Sequence, residues 1–145
     1  MAKKGSRFSG AVNVRNKRAG YEYNLIDKYV CGIVLKGSEI KSIRDGKASI
    51  SEGYCFFNGN ELLIRGMNIS PYSEGGYANH EAARDRKLLL NKEELRRLRK
   101  KSEEKGLTII PLRLFINDRG LATLEVALGQ GNKLHDKRHA LKVID

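Results

Sequence analysis

The chain predicts a mainly β fold, a small antiparallel barrel or sandwich decorated by two or three helices. Three observations carry that expectation. Short β-branched or alternating segments recur along the chain. Two of their junctions, at Asn58-Gly59 and Asn117-Asp118-Arg119-Gly120, bear hairpin turn chemistry. Two segments, near residues 38–45 and 91–105, show helical spacing with capping residues at their starts.

Residues 1–14 (MAKKGSRFSGAVNV) are basic and Gly/Ser-bearing and predict a flexible arm. Tyr21–Asp27 alternates as a strand does, and Tyr29–Leu35 is a buried β-branched run. Gly32 inside that run points to a bulge or a tight bend. Ser38 is the expected N-cap of a short helix with Ile40 and Ile43 on one face, closed by Asp45-Gly46. Tyr54–Phe57 and Glu61–Arg65 form the first hairpin, Met67–Tyr72 is extended up to Pro71, and residues 73–83 are a loop. Arg84–Leu90 ends in an apolar run. Asn91 then caps a helix with Glu93 and Glu94 in its first turn and lysines near its end, stopped by Gly106. Leu107–Ile116 and Leu121–Leu128 make the second hairpin. The expected organisation is an arm (1–14), a folded domain (15–132) and a basic C-terminal tail (133–145) that is disordered when free.

The chain has 145 residues and a net charge of +11, with 40% hydrophobic and 31% charged residues, which fits one soluble domain. The charge is patterned. Residues 1–20 hold six cations and no acid, residues 84–105 hold ten cations against five acids, and residues 129–145 hold four against two. Such blocks favour an extended polyanion, most often nucleic acid, because each neutralised phosphate releases counterions. No apolar run is long enough to span a membrane, and the basic N-terminus lacks the apolar stretch of a secretory signal. Cys31 and Cys55 sit in apolar segments and read as buried free thiols of a cytoplasmic protein.

Catalytic and cofactor patterns fail on inspection. Gly46-Lys47 lacks the earlier glycine and the following Ser/Thr of a phosphate loop. Gly129-Gln130-Gly131 lacks the third glycine of a dinucleotide fingerprint. His135 and His139 have no third ligand nearby, and His80 is a lone histidine in a polar loop. Neither an enzyme nor a cofactor or metal is expected.

Four ordered pieces are specific together. They are Asn16-Lys17-Arg18-Ala19; Gly32-Ile33-Val34-Leu35 through Gly37, Glu39-Ile40-Lys41-Ser42-Ile43-Arg44 and Gly46-Lys47-Ala48; Arg86-Lys87-Leu88-Leu89-Leu90; and Gly131, Lys133 and Asp136-Lys137-Arg138. In this order they resemble the small protein B (SmpB) family of tmRNA-binding proteins, over about residues 14–142. The resemblance implies an oligonucleotide-binding-fold β-barrel. It also implies binding to the tRNA-like domain of tmRNA at its elbow, with the protein standing where an anticodon arm would be. The implied task is to help deliver alanyl-tmRNA to stalled ribosomes, in contact with the 30S and 50S subunits. Elongation factor Tu with GTP rides on the same tmRNA, and the protein acts as a monomer away from membranes.

The RNA-binding residues carried by the resemblance are Asn16, Lys17, Arg18, Glu39, Lys41, Arg44, Lys87, Leu90, Lys133, Lys137 and Arg138. Their chemistry suits the task. Asn16 can donate and accept, and Lys17 and Arg18 can grip phosphates. Lys41 and Arg44 leave their helix about one turn apart and can bracket a backbone. Glu39 either holds Arg44 or Lys41 in place or accepts from a base edge, and Leu90 is either core or an exposed tip that packs on a base. The face of helix 91–105 that bears Arg96, Arg97, Arg99 and Lys100 is either solvated or in contact with RNA. Three features depart from the family: Val30 where many members have Glu, Gln130 and Asn132 where members are basic, and an end at Asp145 where members continue in a basic tail. A generic RNA-binding or ribosome-associated structural protein remains the alternative; it would call for an aromatic stacking face.

Overall fold

The computed structural model describes residues 12–72, 79–104 and 106–131. It is mainly β with three helices. The elements are β1 (Asn13–Arg15), α1 (Ala19–Glu22), β2 (Tyr23–Ile33), α2 (Gly37–Arg44), β3 (Ala48–Ser49) and β4 (Tyr54–Asn58). They continue with β5 (Glu61–Arg65), β6 (Asn68–Ile69), β7 (Arg86–Leu89), α3 (Lys92–Ser102), β8 (Leu107–Ile116) and β9 (Ala122–Gly131). The strand pairings close on themselves in the order β8, β4, β5, β7, β2, β9 and back to β8. All are antiparallel. The seam between β4 and β8 is a single pair, Cys55 with Ile109. The longest seams are those of β9, which pairs along its length with both β2 and β8. The small β3–β6 sheet stands apart.

Alternation builds the wall. In β2, Tyr29 and Cys31 point into the core while Lys28 and Val30 face out, the period-two pattern of a half-buried strand. α2 contributes Ile43 and α3 contributes Leu98 to the same core as Ile64, Leu124 and Val126, and all five are fully buried. Asn91 caps α3 as its sequence predicts, accepting from the Glu94 N–H at 2.8 Å. The first hairpin forms one residue later than expected. Asn58 pairs with Glu61, so the two-residue turn is Gly59-Asn60, and Gly59 takes the positive φ of 64° that the turn requires.

Several expectations are corrected. Val12 is buried and β1 pairs with Arg113–Phe115 of β8, so residues 12–14 belong to the sheet rather than to the arm. Tyr21 lies in the short helix α1, and β2 runs unbroken from Tyr23 to Ile33. The irregularity in β2 falls at Ile26, between Leu25 and Asp27, and not at Gly32, which pairs regularly with Leu89 and Thr123. Ser38 does not cap α2. The N-cap is Lys36, whose backbone N–H donates to the Glu39 carboxylate at 2.7 Å. Ser38 turns to His80, whose ring lies 2.8 Å from the Ser38 hydroxyl and donates from Nε2 to the Ile69 carbonyl at 2.9 Å.

Glu39 and Arg86 are both fully buried, and they tie these pieces together. Arg86 donates from Nε to Glu39 at 2.7 Å, to the carbonyls of Met67 and Arg84 from one terminal nitrogen, and to those of Glu81 and Ala82 from the other. All five of its N–H groups therefore have acceptors. Arg84 adds a two-point contact to Glu39 at 2.7 and 2.9 Å. Burial pushes the Glu39 carboxyl pKa up. The hydrogen bonds from Arg84, the Lys36 backbone and Arg86, with the charge of Arg86, outweigh it and leave the carboxyl below its ordinary value.

Two predictions follow from this core. Glu39→Gln leaves a buried guanidinium short of its counter-charge and should cost about 3–5 kcal/mol in urea unfolding. Because the folded pKa of Glu39 is depressed, its stabilisation is present above the unfolded carboxyl value and is lost as pH falls below about 4 toward the folded value. The acid limb of wild-type stability should flatten in the variant. Burial likewise pushes the Cys31 thiol up to about 12 and raises that of Cys55 well above its usual value. Thiol labelling at neutral pH should be slow in the native protein and give two labels after unfolding, and fast native labelling would contradict the buried placement.

Candidate nucleic-acid interface

Asn16 sets the position of the link between β1 and α1. β8 carries an extra residue between Pro111 and Arg113 relative to β9, which frees two carbonyls at the bulge. The Asn16 backbone N–H donates to Leu112 O at 2.9 Å, and its side-chain amide donates to Pro111 O at 2.9 Å. Its side-chain oxygen accepts from the Arg18 N–H at 3.2 Å. Ala19 is buried beneath. The β1–α1 link is thereby stapled to the ring, and Lys17 and Arg18 leave it toward different hollows.

Lys17 lines an outward groove of about 610 Å³ with Arg15, Tyr21, Lys28, Arg113 and Glu125, over a floor that includes Leu25 and Leu112. Four cations face one carboxylate there. Tyr21 is 77% exposed at the rim. The Arg113 guanidinium stacks over Phe115, 4.0 Å from the ring centroid, with Glu125 beside it. Arg18 takes the other side, in ion pairs with Glu22 at 3.0 Å and Glu52 at 2.9 Å. It lines a smaller, more balanced hollow of about 340 Å³ with Tyr23 and Tyr54.

An apolar strip adjoins the groove. Val30, Val34 and Leu89 are each about half exposed. Gly32 lies between them and pairs with Leu89, so no side chain interrupts the strip. Val30 pairs with Glu125 of the groove wall, which makes strip and groove one continuous surface. A planar base or sugar edge finds apolar contact there, and a backbone finds charge beside it.

The remaining expected site residues divide. Glu39 is fully buried on Arg84 and Arg86, so it neither holds Lys41 or Arg44 nor faces a base edge. Lys41 and Arg44 do lie exposed on α2, Lys41 with its ammonium 5.4 Å from the Tyr72 ring, but no residue of α2 lines the groove. Lys87 is exposed and pairs with Glu61 at 3.1 Å. Leu90 is half-buried against the core, and the exposed apolar tip is its neighbour Leu89. Lys133, Lys137 and Arg138, and the histidines at 135 and 139, lie outside the described residues. Sequence reasoning missed Arg15, Tyr21, Lys28 and Arg113. The outward parity of Lys28 on β2 could have found it, whereas Arg113 needed the bulge at Leu112. Among the described residues no cluster of ligands could hold a metal ion, and no helix is long and apolar enough to cross a membrane.

Comparison with known proteins places these features in a family. The family described as "SmpB protein" matches residues 13–145. An SsrA-binding protein of Cytophaga hutchinsonii is 57% identical over 134 residues, covering 92% of this chain and 88% of its own length. One from Bacteroides thetaiotaomicron is 52% identical over 135 residues, covering 93% and 90%. A chain from the structure described as "tmRNA-SmpB: a journey to the center of the bacterial ribosome" superposes with a TM-score of 0.70 at 44% identity, covering 83% of this chain and 85% of that one.

Proposed function

The chain belongs to the SmpB family, and we propose that it binds the tRNA-like domain of tmRNA through the Lys17–Lys28–Arg113 groove and the Val30–Val34–Leu89 strip. Its task is to help deliver alanyl-tmRNA to stalled ribosomes for trans-translation. The observation that carries the assignment of the interface is the groove itself, where four cations and an exposed tyrosine run into an apolar strip. On this reading the strand ring is an oligonucleotide-binding-fold barrel, with its helices attached outside. The protein acts in the cytoplasm as a monomer and a binding protein rather than an enzyme. Elongation factor Tu with GTP occupies the same tmRNA, and both ribosomal subunits are met on delivery.

One position where this chain differs from its family, Val30, lies on the same surface. With Val30 in place of an acid, the contact beside Glu125 is apolar, so affinity there comes from packing and the charge from the groove. The generic RNA-binder reading needs an open aromatic face. Tyr54 and Phe56 do sit with ring centroids 6.0 Å apart, but the Arg65 guanidinium lies over Phe56 at 4.5 Å. That covered ring favours the groove over the generic reading.

Replacing both Lys28 and Arg113 by Ala should weaken binding of a tRNA-like tmRNA fragment about tenfold or more at physiological salt, and should lower the log–log salt slope by about two. Wild-type protein should prefer that fragment over a duplex of equal length, since loops and backbone shape are read rather than sequence. Equal binding of fragment and duplex would leave only a generic binder. An unchanged slope in the double variant would move the interface off the groove.

A further inference from the structure

The β4–β5 turn carries a chemistry of its own, away from the groove. Asn58 is the one asparagine in the sequence followed by glycine, and Asp45 is the one aspartate so placed. In such a pair the backbone nitrogen of the glycine can attack the side-chain carbonyl carbon of the residue before it, because no Cβ crowds the approach. A folded chain permits the attack where that nitrogen is free of a hydrogen bond and the side chain is free of a partner.

The structure separates the two pairs. The Gly46 N–H donates to the Ile43 carbonyl at 2.9 Å, and the Asp45 N–H is held by the carbonyls of Lys41 and Ser42 at 3.2 and 3.1 Å. The end of α2 thereby locks Asp45-Gly46. Among the described residues the Gly59 N–H has no acceptor, and the Asn58 carboxamide has no partner. Asn58, Gly59 and Asn60 are all exposed, and only open space surrounds the point where a Cβ of Gly59 would stand.

We propose that Asn58 is a site of self-modification, at which the protein converts with age to aspartate and isoaspartate and loosens the turn from α3. The Gly59 nitrogen bonds to the Asn58 Cγ and the carboxamide C–N bond breaks. Ammonia leaves, carrying the proton of the Gly59 N–H, and a succinimide remains. Water then opens that ring at either carbonyl. One ammonia is lost and one water gained, with no oxidant or reductant.

The product weakens the hairpin. Residue 58 pairs directly with Glu61, so the new carboxylate faces a like charge across the strands. Isoaspartate also routes the backbone through the side chain, which lengthens it by one carbon and breaks the register of a two-residue turn. That turn holds α3. Asn60 accepts from Arg99 at 2.5 Å, and the Phe57 ring centroid lies 5.9 Å from the same guanidinium. The groove shares no residue with the turn and is left intact.

The test keeps the native full chain for days in mildly alkaline buffer, then digests it and sequences the peptides by mass spectrometry. Isoaspartate is counted with an isoaspartyl methyltransferase and labelled S-adenosylmethionine. Position 58 should convert ahead of every other asparagine, and Asp45 should isomerise only in urea. No conversion at 58 in the native protein would overturn the proposal. Equal native conversion at Asp45 would overturn it too, since the free Gly59 nitrogen would not be the cause. Asn58→Gln is an exposed change that would need a larger, slower-forming ring, so its peptide should stay unlabelled; the wild-type level of label there would count against the site. Aged wild-type protein should melt at a lower temperature than fresh protein, the aged Gln variant should melt where it did when fresh, and aged wild type should still bind the tRNA-like fragment. An unchanged melt of the converted protein would overturn the loosening of α3, and lost fragment binding would overturn its confinement to the turn.

Discussion

The buried pairing of Glu39 with Arg86 is the constraint on which the rest of the structure depends. A guanidinium with no exposure is tolerable only when every donor is matched, and here the acceptors come from three separate stretches of chain, with the arginine itself on a fourth. The start of α2, the end of β5 and its following turn, the segment before β7, and β7 itself are all fixed by one side chain. The same carboxylate also satisfies the first turn of α2, through the Lys36 N–H. Replacing such a pair by apolar residues need not weaken a protein, so its worth lies in geometry as much as in stability. It holds Leu88 inward and Leu89 outward, and so gives the apolar strip its edge.

The interface is built by a different economy. None of the groove's cations is buried, and they are spread over β1 and the residues after it, β2 and β8. What makes them one surface is the bulge at Leu112, whose freed carbonyls are taken up by Asn16. Asn16 therefore shapes the groove through the backbone it holds. It sends Lys17 toward the groove and leaves Arg18 to the acids Glu22 and Glu52.

Much of the fold was legible in the sequence. Alternation at Tyr29 and Cys31 and the Asn91 cap are local signals that the structure follows, and the hairpin announced at Asn58-Gly59 forms with its turn one residue later. The misses share a physical cause. Ser38 is a better N-cap by type than Lys36, but the tertiary contact with His80 claims its hydroxyl. Glu39 looks like a surface residue of a short helix, because the two arginines that bury it are about 45 residues away. Leu89 and Leu90 are chemically alike, and only the register of β7 on β2 tells which one faces out. Charge blocks announced a polyanion, but which cations share a groove depended on a bulge that no local pattern encodes.

The placement of β9 has a consequence for how the protein comes into being. β9 is the last described strand, yet it pairs along nearly all of β2, the first long one, and its Glu125 stands in the groove wall. The ring cannot close, and the groove cannot gather its cations, until synthesis has passed residue 131. A chain whose own translation halts before that point presents β2 and β8 as open edges and has no assembled binding surface. Assembly thus doubles as a length check, in which only a copy translated past β9 has the surface assembled.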